Sequence, residues 1–326
     1  MGRRISFSII EFSSYKKLTH EAQSLIIDQA YQADCIIFSR WFEDYSFRVI
    51  KEAGARGIPL IFYIDDLLTS VPMSVGMRKY EHYKNPELQN RLRRIMEECD
   101  HVVCSTHRLS SRYKSLYQNI NTHVCPVHSL YSPNKSYTTS FSSCPRPYPV
   151  IGYMGSASHT ADLKIVIEPI MSIMEEFPLL VFETFGIELP YQIQEKYPLR
   201  CRYIKSVTSY WEFREYLRSL GWWIGLAPLE DSEFNICKSD TKLVEYTHAG
   251  IPVVASDCGP YMDVPLVPKC SNDSGADEWY IQIRSLLESC NNRRLCFDRM
   301  HSYFSDRANA DAIVGFYTDL VLSSKR

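Results

Sequence analysis

WWIGLAPLEDSEFNICKSDTKLVEYTHAGIPVVASDCGPY, residues 222–261, carries a strand, a loop, a helix and a second strand in one passage. The apolar run ends near Pro228 and an acidic loop follows. Ser239 or Asp240 is then placed to cap a helix that runs to about Ala249. Gly250 stops that helix, Pro252 keeps it from resuming, and IPVVAS reads as the next strand. With Ser239 as the cap, Lys242 falls in the first helical turn and Glu245 follows three residues later on the same face, while Lys238 sits just before the cap. Such a helix start presents unpaired N–H groups and a positive dipole end, to which two lysines add charge. It suits a diphosphate, and a carboxylate one turn further on could accept both hydroxyls of a ribose. The same residues would also make a solvated face with an ion pair worth only about 0.2–0.5 kcal/mol.

Outward from this passage, short apolar runs alternate with helix-length amphipathic segments, the mark of parallel sheets flanked by helices. In the first half the runs are ISFSII, CIIFSR, PLIFYI and HVVCST, with helices predicted near 19–31, 46–56 and 86–98. The last of these carries Leu88, Leu92, Ile95 and Cys99 on one face. Gly57-Ile58-Pro59 closes the second helix and launches the next strand. Residues 131–149, YSPNKSYTTSFSSCPRPYP, break the rhythm and read as a linker. Beyond it PVIGYMGS, LLVFETFG, WWIGLAP and IPVVAS are strands, and Pro169 is expected to kink one of the helices between them. The expected fold is α/β, two Rossmann-like lobes facing a cleft. An N-terminal domain of residues 1–147 and a C-terminal domain of residues 148–326 are expected, with ligands at the carboxyl ends of the strands.

Composition agrees with that size and class. A chain of 326 residues exceeds the usual span of one hydrophobic core, and 45% apolar with 23% charged residues is ordinary for a globular protein. A net charge of −2 lacks the cationic excess of a nucleic-acid binder. No stretch approaches the roughly 20 apolar residues of a membrane span, and the opening MGRRISFSIIEF has no cleavage site. The expected location is cytoplasmic, a place at the inner face of the membrane by peripheral association remaining open. The eleven cysteines are scattered and never in CxxC spacing, which argues for reduced structural thiols over a zinc site or disulfide framework.

Lys238-Ser239, Lys242, Glu245-Tyr246 and Gly250-Ile251-Pro252-Val253-Val254 resemble the donor-binding signature of GT-B glycosyltransferases, especially those that build bacterial surface polysaccharides. Val150-Ile151-Gly152-Tyr153-Met154-Gly155-Ser156, followed by His159 and Asp162, is similar to the start of the second lobe in such enzymes. IPLIFYIDDLL, residues 58–68, and HVVCST, residues 101–106, are similar to strands of the first lobe. The resemblance implies that Lys238 and Lys242 contact donor phosphates and Glu245 the ribose. Gly155 with Ser156 would let the backbone approach the diphosphate, and Ser239 belongs to the same donor site. It also implies no cofactor and no metal, since cationic groups neutralise the leaving diphosphate and no DxD motif is present. The partners implied are a nucleotide sugar, bound by the C-terminal domain of residues 148–326, and a glycan or lipid-linked saccharide acceptor on the side of the N-terminal domain of residues 1–147; the net charge argues against nucleic acid.

Two departures accompany the resemblance. Retaining members carry two glutamates eight positions apart, and counting back from Glu245 reaches Cys237. Glu233 or Asp231, with Asn235 nearby, is placed to contact the donor sugar instead. A glycine-rich loop after the first strand is also missing. Arg40, Asp65 and Asp66, and His159 follow strand ends and are the candidates for acceptor binding or catalysis; Asp65 and Asp66 could equally form a turn, His159 a cap, and Arg40 an ion pair with Asp65. Alternatives to a transferase are a sugar-nucleotide epimerase of the same fold and a non-catalytic scaffold that binds a nucleotide sugar or glycan.

Overall fold

The computed structural model describes residues 19–126, 146–264, 268–272, 275–307 and 309–324. The ISFSII run and residues 131–145 of the expected linker lie outside them. In chain order the elements are α1 (His20–Ala30), β1 (Ile36–Ser39), α2 (Asp44–Ala55), β2 (Leu60–Ile64), α3 (Met77–Lys84), α4 (Pro86–Glu98), β3 (His101–Cys104), α5 (His107–Leu116) and β4 (Thr122–Val124). There follow β5 (Val150–Met154), α6 (Thr160–Lys164), α7 (Ile167–Glu176), β6 (Val181–Phe185), α8 (Tyr191–Lys196), β7 (Cys201–Ile204), α9 (Tyr210–Ser219) and β8 (Ile224–Ala227). The remainder are α10 (Glu233–Ile236), α11 (Thr241–Ala249), β9 (Val253–Ser256), β10 (Lys269–Cys270), α12 (Ala276–Glu288), α13 (Cys290–Asp306) and α14 (Ala310–Ser324). Two compact units form. One gathers Tyr83–Pro126 with the described residues of Met1–Thr69 and Asn309–Arg326, and the other joins Ser70–His82 to the described residues of Val127–Ala308.

Among the described residues of the first unit, β1-β2-β3-β4 make a parallel sheet in sequence order. LIFYI forms its interior because an unbroken apolar run can be buried on both faces, and four of its five residues are. Gly57 takes a left-handed φ of 66° to end α2, and the Ile58 N–H returns to the Ala53 carbonyl, which closes the helix before Pro59. Asn85 caps α4 by accepting from the Glu87 N–H at 2.9 Å, with Pro86 in the first turn. The C-terminal helix α14 packs Leu320, Phe316 and Tyr317 against Ile61 and Val103.

The second unit holds a parallel sheet in the order β10-β9-β8-β5-β6-β7. From β5 the chain builds outward through β6 to β7, then returns to lay β8 on the other side of β5. The loops after β5 and β8 therefore leave at the reversal of strand order, where open α/β sheets bind ligands. Between these strands the pairing covers only Ile151 with Ile224 and Gly152 with Gly225. The phenol of Tyr246 on α11 bridges them beyond it, accepting from the Met154 N–H at 3.1 Å and donating to the Leu226 carbonyl at 3.0 Å. A β-carbon on Gly225 would come within 2.7 Å of the Tyr246 ring. Gly152 likewise makes room for the Trp222 indole, which donates to the buried Glu183 at 2.8 Å, while Arg146 and Arg202 pair with the other oxygen at 2.7 and 3.0 Å.

Some elements depart from the sequence expectation. Pro169 kinks nothing: it lies near the start of α7, where a missing N–H removes no helical bond, and the break falls just before it at Ile165 and Val166. β4, β7 and β10 are short strands that no long apolar run announces, and β7 alternates too little to read as one.

Candidate active site

The expected helix is present as α11. Asp240, not Ser239, occupies the N-cap position, and its side chain makes no cap bond. Arg307 takes that carboxylate at 2.5 Å, while Ser239 Oγ bonds Thr241 Oγ1 at 2.8 Å. Gly250 ends the helix with φ 79°. Lys242 remains in the first turn and Glu245 near the middle, so the spacing argument survives the shift of the cap.

Lys242 is half-buried. The Nζ donates to Tyr153 Oη at 3.1 Å and lies 4.2 Å from the centre of that ring. Burial pushes its pKa down to about 7; Asp162 offsets part of the fall and Lys238 adds to it. Lys238 lies over the Phe234 ring at 4.8 Å. Two cationic side chains are thus held close to one another, an arrangement that favours an anion between or beside them.

His159 and Asp162 stand on the loop and helix that follow β5. The Nδ1 of His159 lies 2.7 Å from Asp162 Oδ2, and the other oxygen of Asp162 accepts from the Glu230 N–H at 2.8 Å. Burial would raise the Asp162 pKa, but the His159 bond, the Glu230 amide and the charge on Lys242 outweigh it and hold the group below the usual carboxylate range. Burial lowers the His159 pKa, the two lysines lower it further, and Asp162 restores part of the loss. Tyr153 completes the set, its hydroxyl directed to the His159 carbonyl at 3.4 Å.

Gly155 lies beside this set. A β-carbon there would meet the Tyr153 ring at 3.2 Å and His159 Cβ at 3.3 Å. Gly186, at φ 81°, would drive a β-carbon to 2.6 Å from the Gly155 carbonyl, so glycine is needed at 186. Ser156 is exposed and bonds Ser158 at 2.8 Å.

Glu245 is buried and accepts from Tyr210 Oη at 2.5 Å. Burial raises its pKa, with the Tyr210 bond and Arg214 opposing. Asn235 is buried on α10, its Nδ2 donating to the Glu230 carbonyl at 2.8 Å, and its Oδ1 has no partner. Glu233 is exposed at the start of α10. The second unit therefore brings together Gly155, His159, Lys238 and Lys242, with Asn235 joined through Glu230 and Asp162.

Arg40, Asp65 and Asp66 belong to the first unit and form a cluster of their own. Arg40 bonds both carboxylates at 3.1 Å, and their side chains are 48%, 38% and 26% exposed. Arg40 adopts φ 52°, an uncommon conformation for a residue with a side chain. The ion pair expected for Arg40 thus extends to both aspartates. Among the described residues no group of three or more His, Cys, Asp or Glu side chains could hold a metal ion, and no helix is long and apolar enough to cross a membrane.

Sequence reasoning gave no role to Asp162, Tyr153, Tyr210 or Glu230. Asp162 carried a readable signal, since an aspartate three residues after a histidine faces it across one helical turn. Tyr153 reads as core, and Tyr210 joins Glu245 only through tertiary folding.

No protein-family model and no curated protein sequence matches the chain. Solved structures do match. HepE from Anabaena, in complex with UDP and glucose, is 15% identical with a TM-score of 0.62, over 92% of this chain and 80% of that one. The UDP-forming α,α-trehalose-phosphate synthase from Burkholderia xenovorans is 11% identical with a TM-score of 0.59, over 95% and 78%. TarM is 12% identical with a TM-score of 0.62, over 91% and 57%. What is shared at such identity is the architecture, and this chain has the GT-B fold of those glycosyltransferases.

Proposed function

We propose that the protein is a glycosyltransferase that moves a sugar from a nucleotide-sugar donor to a glycan or lipid-linked saccharide. The observation that carries the reading is the half-buried Lys242 at the start of α11, its ammonium held on Tyr153, beside Lys238 and one turn before Glu245. Burying a cation without a strong partner is costly, and a diphosphate would repay that cost. The solved relatives in fold include HepE bound to UDP-glucose.

Lys238 and Lys242 hold the diphosphate with the first-turn N–H groups of α11, Ser239 lies beside them, and Glu245 accepts from the ribose. Gly155 and Ser156 admit the phosphates to the backbone after β5, and Glu233 and Asn235 lie on the side of the donor sugar. In transfer the bond between the anomeric carbon and the diphosphate oxygen breaks, and its electron pair leaves with the diphosphate. The acceptor hydroxyl forms the new bond, and its proton passes to the departing diphosphate. Lysines that neutralise the departing charge serve in place of a metal, so the reaction is metal-independent. Asp65, Asp66 and Arg40 act on the acceptor side. A cytoplasmic setting, with peripheral contact at the membrane's inner face and a role in surface polysaccharide assembly, fits this chemistry.

The test incubates the protein with UDP-, GDP-, dTDP- and CMP-sugars and follows thermal stability and released nucleotide. Stabilisation by one nucleotide with slow release supports the reading. Conversion to an isomeric sugar nucleotide replaces it with an epimerase, and binding without turnover in the presence of acceptors replaces it with a scaffold. Lys242→Ala is expected to abolish the stabilisation; full binding by that variant refutes the site.

A further inference from the structure

Asp162 is 4% exposed and both its oxygens are committed, one to the His159 ring and one to the Glu230 amide. Glu230 is itself fixed on two further sides. Its Oε2 accepts from Ser74 Oγ at 2.7 Å, and its carbonyl accepts from Asn235 Nδ2 at 2.8 Å. The carboxylate thereby joins the loop after β5 to the loop after β8, across the reversal of strand order.

The chemistry of the pair decides the state of the ring. An ionised carboxylate only accepts, so the His159 nitrogen 2.7 Å from it must carry a proton. Lys242 and Lys238 act on the ring from α11 and the segment before it and Asp162 bonds it from α6, while Tyr153 on β5 bonds the His159 carbonyl; the lysines and burial oppose a second proton. The neutral ring then has Nε2 as its acceptor, and 24% of the side chain stays open to solvent. A phosphate oxygen is also an acceptor and cannot share a hydrogen bond with that nitrogen, whereas a hydroxyl can donate to it.

We propose that Asp162 is a positioning residue: it holds His159 in the Nδ1–H tautomer so that Nε2 receives a hydroxyl of the donor's sugar, leaving the phosphates to Lys238 and Lys242. This rests on the nucleotide-sugar reading and divides the labour within that site. Asp162 acts only through His159. A purely fastening role for Asp162 would lower stability and leave the discrimination between sugar-bearing and sugar-free nucleotide unchanged.

The first measurement needs no ligand. Nitrogen NMR of the imidazoles in the full chain, with His159 assigned by its loss in His159→Gln, is expected to show Nδ1 protonated and Nε2 bare at neutral pH. A dominant Nε2–H tautomer overturns the proposal. The second compares the dissociation constants of UDP-glucose and UDP, or of whichever nucleotide sugar and parent diphosphate from the donor panel stabilise the protein most. In Asp162→Asn and His159→Gln the sugar nucleotide is expected to lose about 2–10-fold relative to the diphosphate, the worth of one hydrogen bond. Lys242→Ala should weaken both ligands alike. An unchanged ratio in His159→Gln overturns the proposal even if Asp162→Asn does not fold. If no nucleotide of the panel binds the wild-type protein, the glycosyltransferase reading falls, and the sugar contact with it, while the tautomer measurement still decides the role of Asp162 toward His159.

Discussion

The two charged clusters of this protein are built from similar residues and behave differently. In the first unit Arg40, Asp65 and Asp66 meet in the open, with the arginine half exposed. In the second, Asp162 is buried and Lys242 and His159 are half-buried against the buried Tyr153. Water screens the first group, and its ion pairs contribute at most about 1 kcal/mol each. Burial magnifies every interaction in the second, so that a lysine titrates near neutral pH and a histidine is kept uncharged. Exposure alone separates a cluster that can be rearranged cheaply from one whose members depend on each other.

The strongest way to break this comparison is Asp162→Ala, which removes a buried carboxylate that holds both His159 and the Glu230 N–H. A loss of about 3–5 kcal/mol is expected in urea unfolding; a loss below about 1 kcal/mol would show that burial does not matter here. Gly186→Ala tests the backbone without touching a charge. Its β-carbon would strike the Gly155 carbonyl at a left-handed φ, and a cost of about 2–4 kcal/mol is expected from strain and overpacking together.

Lys242→Met sharpens the contrast through pH. The folded lysine has a pKa of about 7 against 10.5 ordinarily, so between those values the unfolded chain binds a proton that the folded chain has released. Wild-type stability therefore gains with rising pH across that window, and the gain is lost as pH falls toward 7. The variant should lack this slope, its stability relative to wild type being most favourable below pH 7 and declining above. Parallel pH profiles for the two proteins would sink the burial argument. The smallest effect belongs to the first unit: Asp65→Ala should cost under about 1 kcal/mol and less in high salt. Arg40→Gly should be close to neutral, because relief of the positive φ offsets the lost ion pairs.

Much of the second unit was legible in sequence because its signals are local. Gly250 and Pro252 mark the end of α11, and the spacing of Lys242 and Glu245 places them on one face wherever the cap falls. VVAS reads as an interior strand from its unbroken apolar character, as LIFYI does in the first unit. The rest depends on distant partners. Asp240 lost its capping role to Arg307, sixty-seven positions away, and Tyr210 reaches Glu245 only once α9 has packed beside α11. β7 and β10 escape notice because short edge strands bury too little to impose a pattern. Pro169 misled because its meaning depends on where the helix begins, not on its presence.

The chain visits the first unit again at its end, and the second early, through Ser70–His82. Protein cut at residue 147 would accordingly be mismatched. The C-terminal fragment would keep α14 without Ile61 and Val103 to cover Phe316, Tyr317 and Leu320, and would lose Ser74 from Glu230. Such a fragment should be sticky toward apolar dyes and poor at recovering from denaturant, so the two halves are to be made and studied as one polypeptide.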